Sequence, residues 1–176
     1  RFLQLCDTFD VPVLSLMDCP GIVVGPEHER QALLRKCGRL FVTGANMTSP
    51  IFGVVLRKAY GLGVQAMCGG SSMEPFFTAA RPTAEFAPTT IDGSVRLAFG
   101  KELDAIEDLD KRQQVYERLV GELVEQARAV NSGGTSYGID DVIDPAETRD
   151  WIAQALRTVP KTPTRVDKKR PNVDTW

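Results

Sequence analysis

Histidine is nearly absent from this 176-residue chain, where His28 stands alone. The four cysteines, Cys6, Cys19, Cys37 and Cys68, fall in four separate segments with no CxxC pair among them. Neither a zinc site nor a disulfide framework is expected from that pattern, and no metal is assigned. No run of about 18 apolar residues occurs, so no hydrophobic membrane-spanning helix is expected. The opening RFLQLCDTFD also lacks the zones of a signal peptide. Charge of one sign is missing as well: at a formal net charge of -2, the chain has no general attraction for nucleic acid or anionic membranes. A basic site, if there is one, has to be local. The expectation is a cytoplasmic protein with neither nucleic acid nor membrane as partner.

What is present is an ordinary globular composition, 43% hydrophobic and 25% charged, enough for one domain with a core. Phe2, Leu5, Cys6 and Phe9 recur at helical spacing with no capping residue before them. The chain is therefore read as starting inside a helix, as a fragment of something longer. VPVLSLMD at 11–18 is a nearly unbroken apolar run of the kind buried on both faces of a parallel sheet, ended by Cys19-Pro20-Gly21. From Glu27 to Asn46, Ala32, Leu33, Cys37, Leu40 and Phe41 share one helical face. IFGVVL at 51–56 is a second buried strand, which makes residues 11–56 a βαβ unit with an expected right-handed crossover.

Beyond it, Arg57 to Gly63 leave the strand and lead to a short helix over Val64 to Met67. A Gly-Gly-Ser-Ser loop at 69–72 and Phe76-Phe77 precede PTAEFA at 82–87, read as a third strand or its edge. Two long amphipathic helices follow, Ile91 to about Gly100 and Leu103 to Val130, the second ended by Asn131-Ser132-Gly133-Gly134. IDDVI at 139–143 reads as a short strand, and Pro145 opens a last helix through Val159. Residues 1–159 are taken as one lobe and 160–176 as a basic, proline-containing tail, extended or docked on a neighbour. Met47, Met67 and Met73 read as core fillers and His28 as a surface histidine.

Five stretches stand in the order and near the spacing of one family: FLQLCDTFDVPVLSLMDCPG, the Gly21–Gly25 loop with Glu29 behind it, RKAYGLG, RPTAEFA and DDVIDPAETR. Together they resemble the C-terminal, crotonase-like domain of the carboxyltransferase subunits of biotin-dependent acyl-CoA carboxylases. The resemblance implies an α/β fold, a crotonase-like spiral of βαβ units flanked by long helices. It departs from the acetyl- and propionyl-type pattern in two places. YGLG stands where many members read YGGAYD, and Arg81 stands where they have Trp before Pro82. The YGLG form is similar to less familiar members, including single-chain long-acyl enzymes, and leaves the acyl substrate open.

The family's chemistry, as the resemblance implies it, asks little of side-chain acids and bases. Carboxybiotin releases carbon dioxide when charge on its ureido oxygen is stabilised, and the freed biotin nitrogen takes the α-proton of an acyl-CoA. The protein supplies an oxyanion hole of backbone N–H groups. A strand exit that enters a helix N-terminus presents such groups, and Gly61-Leu62-Gly63 fits that description. By position in the motif, the amides of Leu62 and Gly63 receive the ureido oxygen, with Gly61 beside them. The bland reading is that these glycines only permit tight packing.

Gly21 and Gly25 shape the biotin entrance or simply make a turn. Gln65 governs acyl-chain choice or is an ordinary helix-surface residue. Arg57 and Lys58 fit a phosphate contact less well than a solvated face or an ion pair. Glu85 reads as a structural carboxylate rather than a general base. The partners implied are a biotin carboxylase, a biotin carrier, an N-terminal carboxyltransferase lobe and further copies of the subunit, in dimeric units or a hexameric ring. Without that lobe, the fragment alone is expected to be inactive. Two alternatives stand beside this reading: a crotonase-like acyl-CoA hydratase, isomerase or decarboxylase, and a non-catalytic assembly lobe of the carboxylase.

Overall fold

The computed structural model describes residues 1–71, 73–131, 134, 137–161, 166–170 and 172–174. Ser72 of the GGSS loop, Ser132 and Gly133 of the expected helix stop, and tail positions 162–165, 171 and 175–176 lie outside the described residues.

Helix α1 (Phe2–Thr8) leads into strand β1 (Val13–Cys19). Helices α2 (Pro26–Arg30) and α3 (Leu33–Ala45) cross over to β2 (Ile51–Tyr60), and α4 (Gly61–Met67) follows β2 without a break. Two short strands come next, β3 (Phe77–Ala80) and β4 (Glu85–Ala87). Helices α5 (Ile91–Asp104) and α6 (Leu109–Ala127), strand β5 (Asp141–Val142), a 3₁₀ turn at Pro145–Glu147 and helix α7 (Thr148–Thr158) complete the described elements. Among the described residues the strands pair with one another in parallel, in the order β1-β2-β3-β5, while β4 pairs with the last residues of β2.

Alternation along β2 divides its residues between two apolar layers. Val55 and Ala59, with Met17 and Ala80, pack against Val64 and Cys68 of the α4 side and against Phe86. Phe52 and Val54, with Phe77 and Ala79, pack under Trp151, Ile152 and Ala155 of α7. Phe77 anchors the second layer, stacking on Phe52 at 5.5 Å and meeting the Trp151 ring edge-on at 5.6 Å.

Several expectations change. The helix expected from Glu27 to Asn46 is two helices, because Ala32 adopts φ +57 between them. No residue of α2 is buried, so the apolar face that holds a helix to the core begins only at Leu33. Strand β1 is buried on one face only: Leu14 and Leu16 remain 42% and 49% exposed, because α7 covers β2 and β3 but does not reach across β1. Residues 77–80 form strand β3 where only a lead-in is expected, and the strand at PTAEFA begins three residues later than expected, at Glu85. Met73 is 79% exposed, whereas Met67 and Met47 pack partly buried against core clusters and Met17 is fully buried against Cys68.

The helical hairpin of α5 and α6 is set by its caps. Thr90 Oγ1 accepts from the Gly93 amide at 3.1 Å, and Asp108 Oδ1 accepts from Asp110 and Lys111 at 3.0 and 3.1 Å. Asp108 is the reason α6 starts at Leu109 and not at Leu103.

The tail docks on its own chain. Lys169 Nζ lies 2.7 Å from Asp7 and 2.9 Å from Asp10, and Arg170 Nε lies 2.6 Å from Asp7. Asp7, buried in α1, also accepts the amides of Thr48 and Ser49 at 2.9 and 3.1 Å. Burial opposes ionisation of Asp7, but the hydrogen bonds from Lys169, Thr48, Ser49 and Arg170 outweigh it and hold the carboxyl well below its ordinary range.

Candidate functional site

Strand β2 runs to Tyr60 and the chain turns at once into α4, with Gly61 in the left-handed region at φ +57. Glycine is required there on two counts. A side chain adopts that dihedral at a cost, and a Cβ on Gly61 would stand 2.8 Å from the carbonyl oxygen of Pro88. Gly63 is enclosed on another side: its Cβ would fall 2.6 Å from Cys19 Sγ and 3.1 Å from Gly21 Cα. Three strand exits therefore meet, those of β1 at Cys19–Gly21, β2 at Tyr60–Gly63 and β4 at Pro88. Ligands of open parallel sheets bind at the carboxyl ends of strands.

The first four amides of a helix have no acceptor within it. Among the described residues, no group outside α4 accepts the N–H of Leu62 or Gly63. The Leu62 side chain is 59% exposed, whereas Gly63 is buried against the β1 exit. Gln65 lies one turn on from Leu62 and is half-buried. Of the glycines singled out in the sequence, Gly21, Gly61 and Gly63 come together. Gly25 does not join them: it precedes α2 at φ +133, and among the described residues its Cβ would meet only His28 Cδ2, at 4.0 Å.

The turn is braced from β4. Tyr60 donates its hydroxyl to Glu85, and burial together with this hydrogen bond pushes the Tyr60 phenol above its ordinary range. Glu85 is thus engaged as an acceptor under the turn. Arg57 pairs with Asp18 at 2.9 Å and lies 63% exposed, so it forms the surface ion pair of the two readings open to it. The Tyr60–Glu85 brace was not visible in the sequence. Its only signal was the register Tyr60↔Ala87, which pairs β4 with the end of β2 and depends on knowing the sheet.

A family model described as the carboxyl transferase domain matches residues 1–173. The chain belongs to that family. It is 32% identical over 174 residues to the carboxyltransferase subunit of propionyl-CoA carboxylase from Haloferax mediterranei, covering 98% of this chain and 33% of that subunit. Among solved structures, a single-chain, multi-domain long-chain acyl-CoA carboxylase superposes with a TM-score of 0.76 at 44% identity, over 88% of this chain and 15% of that one. The transcarboxylase 12S hexamer, with methylmalonyl-CoA and methylmalonic acid bound, gives the same TM-score of 0.76 at 33% identity, over 97% of this chain and 32% of that one. The carboxyltransferase lobe is thus of the crotonase-like α/β kind that the motifs implied. The chain spans about a third of the length of the curated relatives it matches. Among the described residues, no helix is long and apolar enough to cross a membrane.

Proposed function

We propose that this chain supplies the biotin side of a carboxyl-transfer centre, in which a carboxyl group passes from carboxybiotin to the α-carbon of an acyl-CoA. The observation that carries the reading is the turn at Gly61–Gly63, at the meeting of three strand ends, where among the described residues no group outside α4 accepts from the amides of Leu62 and Gly63.

Biotin, carried in on a partner domain, supplies the transferable carboxyl group and a ureido oxygen that gathers negative charge. The residues of this chain fit that demand. Leu62 and Gly63 offer N–H donors fixed by the helix, and such donors act most strongly when they need no reorganisation as charge develops. Gly61 and Gly63 keep the turn free of Cβ atoms, and Gly21 forms the wall opposite Gly63. Gly25 enters only by closing the 21–25 loop into α2. Tyr60 and Glu85 hold the β2 exit in place and move no proton. Gln65, half-buried one turn along α4, is placed to sense the acyl chain.

The remaining parts are a biotin carboxylase, a biotin carrier, an N-terminal lobe that holds the acyl-CoA thioester, and further copies of the subunit, as in the 12S hexamer. The test is incubation of the full-length subunit with a carboxybiotin-loaded carrier and acyl-CoAs of increasing length. Formation of a malonyl-type product is expected. Hydration or isomerisation of an enoyl-CoA without biotin would replace this reading by hydratase or isomerase chemistry.

A further inference from the structure

Strand β2 changes neighbours part-way along its length. Phe52 to Val55 pair with β3, ending at Val55↔Ala80, and the last residues pair with β4 from Lys58↔Glu85. The ladder to β1 is interrupted at the same place: Met17 pairs with Val55 and Cys19 with Ala59, so two steps along β1 match four along β2. Among the described residues, Leu56 and Arg57 therefore have no ladder partner on β1, β3 or β4. At about 3.3 Å per residue, the two extra residues set the β2 exit back against β1 by up to about 7 Å. The turn depends on that offset. In the register of Val13 to Met17, the β1 residue level with Gly61 would be Val23; after the interruption it is Gly21, the residue that lies against Gly63.

One side chain spans the gap. Asp18, between Met17 and Cys19, accepts from the backbone amide of Lys58 at 3.1 Å and from Arg57 Nε at 3.1 Å, with Arg57 Nη2 at 2.9 Å. Its carboxylate thus serves as acceptor for a strand amide where the ladder to β1 is broken. The bonds from Arg57 and Lys58 hold the Asp18 carboxyl below its ordinary range, so the acceptor is ionised at neutral pH. Beyond the gap, among the described residues, β1 contributes one further pair, Cys19↔Ala59, and β4 contributes three.

We infer that Asp18 is a positioning residue for the carboxyl transfer: its hold on the Lys58 amide fixes the register of the β2 exit, and with it the place of the Leu62 and Gly63 amides opposite Gly21. The inference rests on the carboxyl-transfer reading. The ion pair with Arg57, 63% exposed, is the dispensable half of the contact, and the amide bond is the half that matters.

The experiment compares Asp18→Ala, Asp18→Asn, Arg57→Gln and Leu62→Pro in the full-length subunit. Each is assayed by steady-state carboxylation with carboxybiotin carrier and the acyl-CoA turned over fastest in the chain-length series, by hydrogen exchange of a peptide covering 54–60, and by a thermal melt. Asp18→Ala is expected to lower kcat about 10- to 100-fold, since a displacement of about 1 Å costs up to about 10²-fold, with KM for the acyl-CoA unchanged within about twofold. Exchange over 54–60 should quicken, while the melt falls by no more than about 5 °C because the carboxylate is partly exposed. Asp18→Asn keeps an oxygen for the Lys58 amide and should recover most of the rate, as should Arg57→Gln, which leaves that bond in place. Asp18→Leu, which keeps the volume and loses the acceptor, takes the place of Asp18→Ala if that variant fails to fold, with the same expectation. Equal losses in Asp18→Ala, Asp18→Asn and Arg57→Gln would assign the effect to charge and overturn the inference, as would a loss confined to KM. Full kcat in Asp18→Ala beside a slowed Leu62→Pro would overturn it and leave the carboxyl-transfer reading standing. Full kcat in both would bring down the donor site itself, and the inference with it.

Discussion

Replacing Leu62 by proline deletes one of the two proposed donors and little else. Leu62 is the second residue of α4, within the first turn, where the missing N–H is not used by the helix and the ring's fixed φ suits the backbone. The preceding residue is Gly61, which has no Cβ to meet the ring. The lost side chain is 59% exposed, so packing is little affected and the stability change is expected to stay within about 1 kcal/mol. Loss of one oxyanion donor typically costs about 10²–10³ in rate, or about 2.7–4 kcal/mol of transition-state stabilisation. The assay is steady-state carboxylation by the full-length subunit with carboxybiotin carrier, beside a thermal melt. An unchanged melt with a rate lowered by about that factor is the expected result. Full turnover by the folded Leu62→Pro enzyme would refute the assigned hole. Gly63→Pro, the obvious companion, is a poorer test: it removes the other N–H but also puts carbon where Cys19 Sγ and the Gly21 backbone already stand. Its loss of activity would not separate chemistry from packing.

Gly61→Ala is expected to destabilise the subunit by about 1–2 kcal/mol from the left-handed dihedral alone, and by more through the Pro88 carbonyl, as read by the urea midpoint. Asp7→Asn leaves Lys169 and Arg170 without their buried counter-charge and is expected to cost about 3–5 kcal/mol on the same scale. Because the folded-state pKa of Asp7 lies below its ordinary 3.8, the stability it contributes is complete above that pH and is lost as the pH falls below it. The wild-type urea midpoint should therefore drop between about pH 5 and pH 3 by more than that of Asp7→Asn. Cys19 and Cys37 should react with a thiol reagent in the native chain, whereas Cys6 is buried and burial pushes the Cys68 thiol up to about 12; all four should react in denaturant. The isolated 176-residue chain should not carboxylate any acyl-CoA, since donors for the thioester are not among those proposed for it, and each lost donor costs about 3 kcal/mol. Turnover by the isolated chain, followed by product formation, would point to a self-contained enzyme.

What could be read in advance depended on the range of the interaction. The runs at 11–18 and 51–56 and the strand exit at Gly61 carry their own local signal, and β1, β2 and α4 lie where it places them, whereas the second long helix, expected over Leu103 to Val130, is confined to Leu109–Ala127. β3 has four residues, FTAA, too short to show alternation, and it becomes a strand only because Phe52–Val55 offer it a parallel partner. The split between α2 and α3 also eluded the periodicity, since Ala32 is apolar and falls in phase with Leu33 and Cys37 while its backbone is left-handed. Nothing local joins Asp7 to Lys169 and Arg170, more than 160 residues away, so the basic tail could be read as a charge but not as a clamp. Leu14 and Leu16 were apolar enough to be read as buried; whether a layer covers them is a property of α7, not of β1.

The glycines of the turn follow from strand register more than from the motif that drew notice to them. Tyr60 pairs with Ala87, so the next residue on β2 faces the next carbonyl on the neighbouring strand, and that carbonyl is Pro88's. Cys19 pairs with Ala59 after an irregularity between Met17 and Cys19, which carries the β1 exit past the end of β2 and lays Gly21 against Gly63. Either contact alone is met by any tight turn. Together they close the turn on two sides, with the Leu62 side chain 59% exposed. A glycine that only permitted tight packing would need no open amide beside it, whereas a donor site needs both the absence of Cβ atoms and the absence of an acceptor. Gly61 and Gly63 bring no Cβ to the turn, and among the described residues no group outside α4 accepts from the Leu62 and Gly63 amides; that conjunction supports the proposal of a donor site there and not at Gly25, where nothing converges.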